Sequence, residues 1–407
     1  MTLLNRLRSH KKFGFALVFR VISRLLASLG QAGFLLLLAR EIGPSQFGAV
    51  AVVLAVGYVF SAITSFGSST RVLRLAAEDD RKRTATRLLY IRLWGTALSV
   101  VGCTVLALFG SATLALLAVF IIASDQIVDY VQAYFAGTTR QLWSSLIIVI
   151  QRLVPFVMLG TMVLLGSFSA ELIALSFAST MAGSLIVPFR ERSTAVKFWS
   201  REVWTELRSS TGYWMSGLAP NISQLQPPLL NLVLDASSVG LFAITSRLTN
   251  PLTILVGALQ TLLIPELARR RGTPQFHKLY RASVVASAAY GLLLCASAWI
   301  IADVMVFMLG GEYANAHTLI VAMTVASGMS ALAQAYQSKL LAEGRPATAA
   351  WMVGVGSAIG LVALLIIAVL GGAHWLWLSP LVTQGVIASG LAYSANARLP
   401  RVARHSR

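Results

Sequence analysis

The chain has 407 residues, of which 57% are hydrophobic and only 12% charged, at a mean hydropathy of +0.74; an ordinary soluble domain is about 45–50% apolar and about 25% charged. With 33 Lys and Arg and 15 Asp and Glu, a chain this long cannot clothe a water-facing surface, so a soluble globule is excluded and lipid is the expected solvent. The net charge of +18 would direct a soluble protein to nucleic acid, but here the cations stand between hydrophobic runs, which removes that partner.

A spanning helix needs about 20 predominantly apolar residues. Reading apolar runs between charged or Gly/Pro/Asn/Ser breaks predicts twelve, over about 13–38, 49–69, 88–109, 112–135, 143–165, 169–189, 212–234, 238–264, 279–303, 316–338, 347–370 and 374–396. The first run follows basic residues as a signal peptide would, but it is about 26 residues long, contains two arginines and lacks a small-x-small cleavage site, so it reads as a retained helix. Cys103 and Cys295 both fall inside apolar stretches and form neither a disulfide framework nor a metal-ligand spacing.

The basic residues test this topology, because Lys and Arg accumulate in cytoplasmic connections. With the N-terminus inside, the tail (Arg6, Arg8, Lys11, Lys12), the 71–87 loop, Arg140, the 190–211 linker, the 265–281 loop, Lys339, Arg345 and the C-terminal tail all become cytoplasmic. Of the 33 basic residues only Arg40 then lies in an opposite-side loop, and Arg20, Arg24, Arg92, Arg152 and Arg247 lie within spans. Both termini are therefore expected in the cytoplasm.

The 190–211 linker divides the chain into an N-terminal six-helix lobe (1–189) and a C-terminal one (212–407) ending in a basic tail. Trp199, Val203 and Leu207 recur along it at helical spacing beside charged residues, as in an amphipathic helix lying in the membrane interface. The halves repeat weakly: Phe47-Gly48-Ala49-Val50 corresponds to Val239-Gly240-Leu241-Phe242, and at the same offset Leu75-Ala76 meets Leu267-Ala268 and Cys103 meets Cys295. Gln132-Ala133-Tyr134 reappears as Gln334-Ala335-Tyr336. Since six spans return the chain to its starting side, the repeat is a parallel one about a pseudo-two-fold axis along the membrane normal. The expected fold class is thus all-α and integral to the membrane, with about twelve transmembrane helices in two six-helix lobes.

Ionisable residues inside spans are costly and face a bundle interior or a wet cavity. Arg20 and Arg24 stand at i, i+4 on the first span, on a face continuing through Ser28 and Gln31. Guanidinium forks at these positions suit phosphate oxygens, with snorkelling to the interface as the competing role. Arg152, near the middle of span five, and Arg247, in span eight, are cavity candidates whose alternative is an internal ion pair. Arg92 is expected to be a snorkelling anchor at the edge of span three. Asp125 and Asp129, at i, i+4 on span four with Gln132 on the same face, either bind a coupling proton or sodium ion or neutralise Arg24 or Arg152. Span seven is unusually polar, with Asn221, Gln224 and Asn231 beside Pro220, Pro227 and Pro228. The Pro-Pro pair is expected to bend it and open it to the cavity, where the amides meet either sugar hydroxyls or neighbouring helices.

Residues 38–48, Leu-Ala-Arg-Glu-Ile-Gly-Pro-Ser-Gln-Phe-Gly, resemble the first-loop signature of bacterial polysaccharide-biosynthesis membrane proteins, the lipid-linked oligosaccharide flippases of the multidrug/oligosaccharidyl-lipid/polysaccharide (MOP) superfamily. Val239-Gly240-Leu241-Phe242-Ala243, Ser246-Arg247-Leu248 and Pro265-Glu266-Leu267-Ala268 are similar to that family's eighth-helix region, and Gly310-Gly311-Glu312-Tyr313-Ala314-Asn315-Ala316 to its ninth-to-tenth connection. The resemblance implies two lobes around a central cavity that cycles between inward-open and outward-open forms. It also implies translocation of an undecaprenyl-pyrophosphate-linked oligosaccharide across the bacterial inner membrane for O-antigen, capsule or exopolysaccharide synthesis. Partners would be the lipid-linked oligosaccharide, membrane lipids, and a polysaccharide polymerase with other assembly proteins; no cofactor is implied. A cation-coupled drug exporter of the same superfamily is the alternative, expected to carry fewer cationic cavity residues. A membrane-integral polymerase or ligase fits less well, since the five histidines are scattered, the outer loops are short, and no HExxH, GxSxG or Walker A sequence occurs.

Overall fold

The computed structural model describes residues 3–73, 80–107, 112–138, 140–210, 214 and 223–396. Among them every regular element is helical. Eight helices are long and apolar enough to cross a membrane, and large apolar side chains such as Leu164, Leu292 and Phe307 stand on the outside of the protein, 71–88% exposed. Such a coat would drive aggregation in water and is the surface that lipid requires.

Helix α1 (Leu3–Thr64) contains the first two predicted spans in one run, broken at Gly43, whose φ of 74° and ψ of 168° leave the helical region just before Pro44. Only glycine adopts this conformation without strain, and the following proline supplies no donor, so the break is written into the sequence. Residues 44–64 then extend about 30 Å at 1.5 Å per residue, one bilayer core. After the short α2 (Ser68–Val72) come α3 (Arg81–Ala107), α4 (Ala112–Gly137), α5 (Gln141–Leu164) and α6 (Ala170–Glu191). Helix α3 starts seven residues before the predicted span, because Arg81–Arg87 continues it as a cationic turn past the apolar stretch.

In the linker, α7 (Arg201–Ser209) packs on α3 and buries Val203 among residues of α3 and α4, with Leu207 packed at the edge of that core. Charge ties it there as well: Glu206 is held by Arg71 at 2.5 Å and Glu202 by Arg87 at 2.8 Å. Trp199 stays exposed with its ring on Trp94. Where a bent seventh span is expected, residues 223–225 form a 3-10 turn and α8 (Gln226–Leu230) is a single short helix with proline in its first turn. Both prolines stand in the first turn of this short helix, where proline is tolerated because the backbone donors there are unsatisfied anyway, and the expected bend of the seventh span falls largely on residues 211–213 and 215–222, outside the described residues. The rest of the chain is α9 (Ala236–Arg269), α10 (Pro274–Leu309), α11 (His317–Ala342), α12 (Pro346–Gly371) and α13 (Leu378–Asn396).

The chain divides into two compact units, residues 1–251 with 307–315, and 252–306 with 316–407. In the first, α1 packs on α5 and α4 packs on α6 and α3; in the second, α13 packs on α11 and α12.

Three stretches that carry the family resemblance meet in the first unit. Gly48 and Gly240 lie in mutual contact: a Cβ on Gly48 would meet the Ala236 carbonyl, and one on Gly240 the Pro44 carbonyl. At the α1 break, the fully buried Tyr313 donates its O–H to the Ala39 carbonyl at 2.8 Å, satisfying an acceptor near the interruption in the helix. Glu312 stands beside Gly43. The crossing has no room for side chains. Gly240→Val is therefore expected to cost at least about 1–3 kcal/mol, read as a lowered midpoint of thermal unfolding in detergent, whereas Gly183→Ala, with nothing near its Cβ position, should leave that midpoint in place.

Candidate functional site

The polar interior of the first unit is assembled from three elements. On α4, 3.6-residue periodicity puts Asp125, Asp129 and Gln132 on one face, with Gln126 one residue round from it. The second limb of α1 brings Tyr58 and Ser61, with Ser65 just past its end, and α5 contributes the adjacent Gln151 and Arg152.

Asp125 is the centre of this arrangement. Its Oδ1 is 3.0 Å from Arg152 Nη1 and accepts a hydrogen bond from Gln151 Nε2 at 2.7 Å, while Oδ2 accepts the Tyr58 O–H at 2.5 Å. The Arg247 guanidinium lies over the Tyr58 ring, 5.5 Å from its centroid. The ion pair is mostly shielded, with the Arg152 and Asp125 side chains 17% and 11% exposed. Both acidic oxygens are engaged, as an intramembrane charge requires.

Arg92 is buried, contrary to the snorkelling expected of it. Its guanidinium turns inward between α3 and α4, where two partners on α4 hold it, and not outward to the interface. Its Nε donates to the Gln126 carbonyl at 2.7 Å and its Nη2 lies 3.7 Å from Asp129 Oδ2. Asp129 itself is largely exposed.

These groups border two adjoining cavities. The larger, about 330 Å³, is lined by Tyr58, Arg92, Asp125, Gln126, Asp129 and Arg152, with hydroxyls from Ser61, Ser65, Ser69 and Thr70. The smaller, about 190 Å³, shares Ser69, Thr70 and Asp129 and adds Arg24 and Gln132. The Gln126 side chain is 2% exposed, and neither its amide nitrogen nor its amide oxygen has a partner. A buried, unsatisfied amide on a cavity wall costs free energy unless a ligand or water completes it.

Of the residues singled out from sequence, Arg24, Arg152, Asp125 and Asp129 thus come together around the two cavities, with Arg247 joined to them through Tyr58. Gln31 is half-buried on α1, Gln224 half-buried in the turn before α8, and Asn231 exposed just after it; none of the three lines either cavity. The Arg20 side chain and Asn221 lie outside the described residues. Sequence reasoning passed over Tyr58, Gln126 and Gln151. The signal for Tyr58 was present, since Tyr58, Ser61 and Ser65 form a polar stripe along an otherwise apolar limb.

The sequence matches the family model described as polysaccharide biosynthesis protein over residues 11–269. Among solved structures the chain is similar to the lipid II flippase MurJ in its inward closed conformation (13% identity, 93% of this chain and 88% of that one, TM-score 0.68). It is also similar to an inward-facing multidrug resistance MATE family transporter of the MOP superfamily (14% identity, 92% and 93%, TM-score 0.67). A MOP superfamily transporter from Pyrococcus furiosus aligns at 15% identity over 93% of this chain and 94% of that one, with a TM-score of 0.61. At these identities the likeness is one of fold. No curated protein sequence matches.

The fold is the all-helical, multi-pass one shared with these solved membrane proteins, and every regular element among the described residues is a helix. The family match covers more than half of the chain, and the chain belongs to the polysaccharide biosynthesis protein family.

Proposed function

We propose that this protein is a flippase that moves an undecaprenyl-pyrophosphate-linked oligosaccharide across the bacterial inner membrane by alternating access, supplying a surface polysaccharide such as O-antigen, capsule or exopolysaccharide. The observation that carries this reading is the convergence of Arg24, Arg92 and Arg152 with the unpartnered Gln126 amide on two adjoining cavities within one unit. Guanidinium groups bind phosphate oxygens with charge-assisted, bidentate hydrogen bonds and stay charged when partly desolvated, and a free amide suits a sugar hydroxyl or a phosphate oxygen equally. In this reading Asp125 fixes the Arg152 fork through its carboxylate, and Asp129 is the carboxylate open to water. The glycan would pass on to a polysaccharide polymerase and other assembly proteins, and no cofactor takes part.

Binding tests the head-group assignment. Purified protein should hold undecaprenyl pyrophosphate at least about tenfold more tightly than uncharged undecaprenol, as charge-assisted recognition requires; equal affinities would show that the arginines do not read the phosphate. The drug-exporter reading predicts the opposite ranking, with a lipophilic cation preferred.

The distribution of basic residues among the loops supports an orientation with both termini in the cytoplasm. Reporter domains fused at residues 200 and 372 are expected to read opposite sides of the membrane, and the same side for both would overturn the twelve-span arrangement.

A further inference from the structure

We propose that a basic recess at one end of the first unit holds the phosphate head group of a resident anionic membrane phospholipid. The recess has a volume of about 770 Å³ and is walled by the ends of α3, α4, α5 and α6. It shares no lining residue with the cavities around Asp125 and Asp129. Among the described residues, Arg81, Lys82, Arg140, Arg190 and Arg192 line it against one carboxylate, Glu191, which is already engaged by Arg140 Nη1 at 2.7 Å and by the Tyr134 O–H at 2.5 Å. The excess of positive charge therefore faces the recess.

Its level fixes what it meets. Helix α4 ends at Gly137, α5 begins at Gln141 and α6 ends at Glu191, so the recess sits where three spans leave the hydrocarbon. One wall is aromatic: Trp143 is 56% exposed and its ring stacks on Phe135, the placement of an interfacial tryptophan. From its rim an apolar stripe of Leu142, Leu146 and Ile150 runs down the exposed face of α5 at i, i+4, i+8. A charged recess beside a lipid-facing apolar helix face matches a molecule with a phosphate at one end and acyl chains at the other; a soluble anion would use only the first feature. Basic side chains near an anionic bilayer surface attract such head groups, and the attraction falls off within a Debye length.

The test uses the full chain in a neutral detergent, following the thermal unfolding midpoint on addition of phosphatidylglycerol, phosphatidylcholine or inorganic phosphate, and counting co-purified phosphatidylglycerol by mass spectrometry. Wild type should be stabilised by phosphatidylglycerol and by neither of the others. The triple variant K82Q/R190Q/R192Q should bind the lipid on the order of tenfold more weakly and lose most of that stabilisation. A comparator lacking three exposed cations elsewhere, R201Q/K278Q/R281Q, should keep it. If the triple variant does not fold, Lys82→Gln alone, read by co-purified lipid, carries the same comparison. Equal loss in both triple variants would reduce the effect to general charge, and a full shift from inorganic phosphate would make this a soluble-anion site; either outcome overturns the proposal.

Discussion

Arg152→Gln is expected to destabilise the protein by about 3 kcal/mol, the range found when one member of a buried ion pair is removed. The substitution leaves the Asp125 carboxylate in the membrane interior with only the Tyr58 O–H and the Gln151 amide to hold it. Asp125→Asn is expected to cost a similar amount, because the guanidinium then loses its counter-charge. The double variant D125N/R152Q should recover most of the loss, since no uncompensated charge remains. Thermal unfolding of all four proteins in the same detergent measures the coupling directly. Additive losses would show that the two residues are independent, and unchanged stability in both single variants would remove the pair from the energetics of the fold. If Asp125 served to couple an ion, neutralising it would alter the pH or sodium dependence of transport with stability unchanged, and the double variant would not rescue it.

Arg24→Ala is expected to lose most transport activity at unchanged protein level, while Arg24→Lys keeps a measurable part. Arg24 is exposed on α1 and lines the smaller cavity with Asp129 and Gln132. Its loss therefore costs the fold little and the cavity one of its few cations. Lysine restores the charge but not the bidentate fork, so a partial effect distinguishes charge from geometry. The assay is translocation of a fluorescent lipid-linked oligosaccharide, with protein quantified in the same vesicles. Full activity in the alanine variant would take Arg24 out of the mechanism.

Hydropathy made the helices legible, because lipid-facing and buried residues of a membrane bundle are both apolar and each span stands out as a run. Boundaries were less so. Arg81–Arg87 reads as a loop by composition yet continues α3 by about two turns, and Arg92 is buried because its guanidinium turns toward α4. Pro227 and Pro228 read as a bend within a span, and in the described part they fall in the first turn of a short helix. Within the site, the i, i+4 spacing of Asp125 and Asp129 was visible, as was the possibility that one of them neutralises Arg152. That Asp129 stands closer to Arg92 than to the middle of α5 follows only from the packing of α3 on α4. Gln126 and Gln151 carry no sequence signal, because neutral amides inside spans are commonplace; what singles them out is that one is bonded to Asp125 and the other to nothing. The Gly48 and Gly240 match, by contrast, was visible as a repeat between the halves, and its reason is steric, since two helices cross there at backbone contact.

Whether the arginine-lined cavities carry an anionic lipid-linked sugar can be read in proteoliposomes holding the purified protein. A fluorescent undecaprenyl-pyrophosphate oligosaccharide is placed in both leaflets, and a membrane-impermeant quencher reports which leaflet it occupies as a function of time. Translocation is expected well above that of empty vesicles, lost in Arg24→Ala and undiminished by a lipophilic cation in excess. Transport of the cation with no movement of the lipid-linked sugar would contradict it.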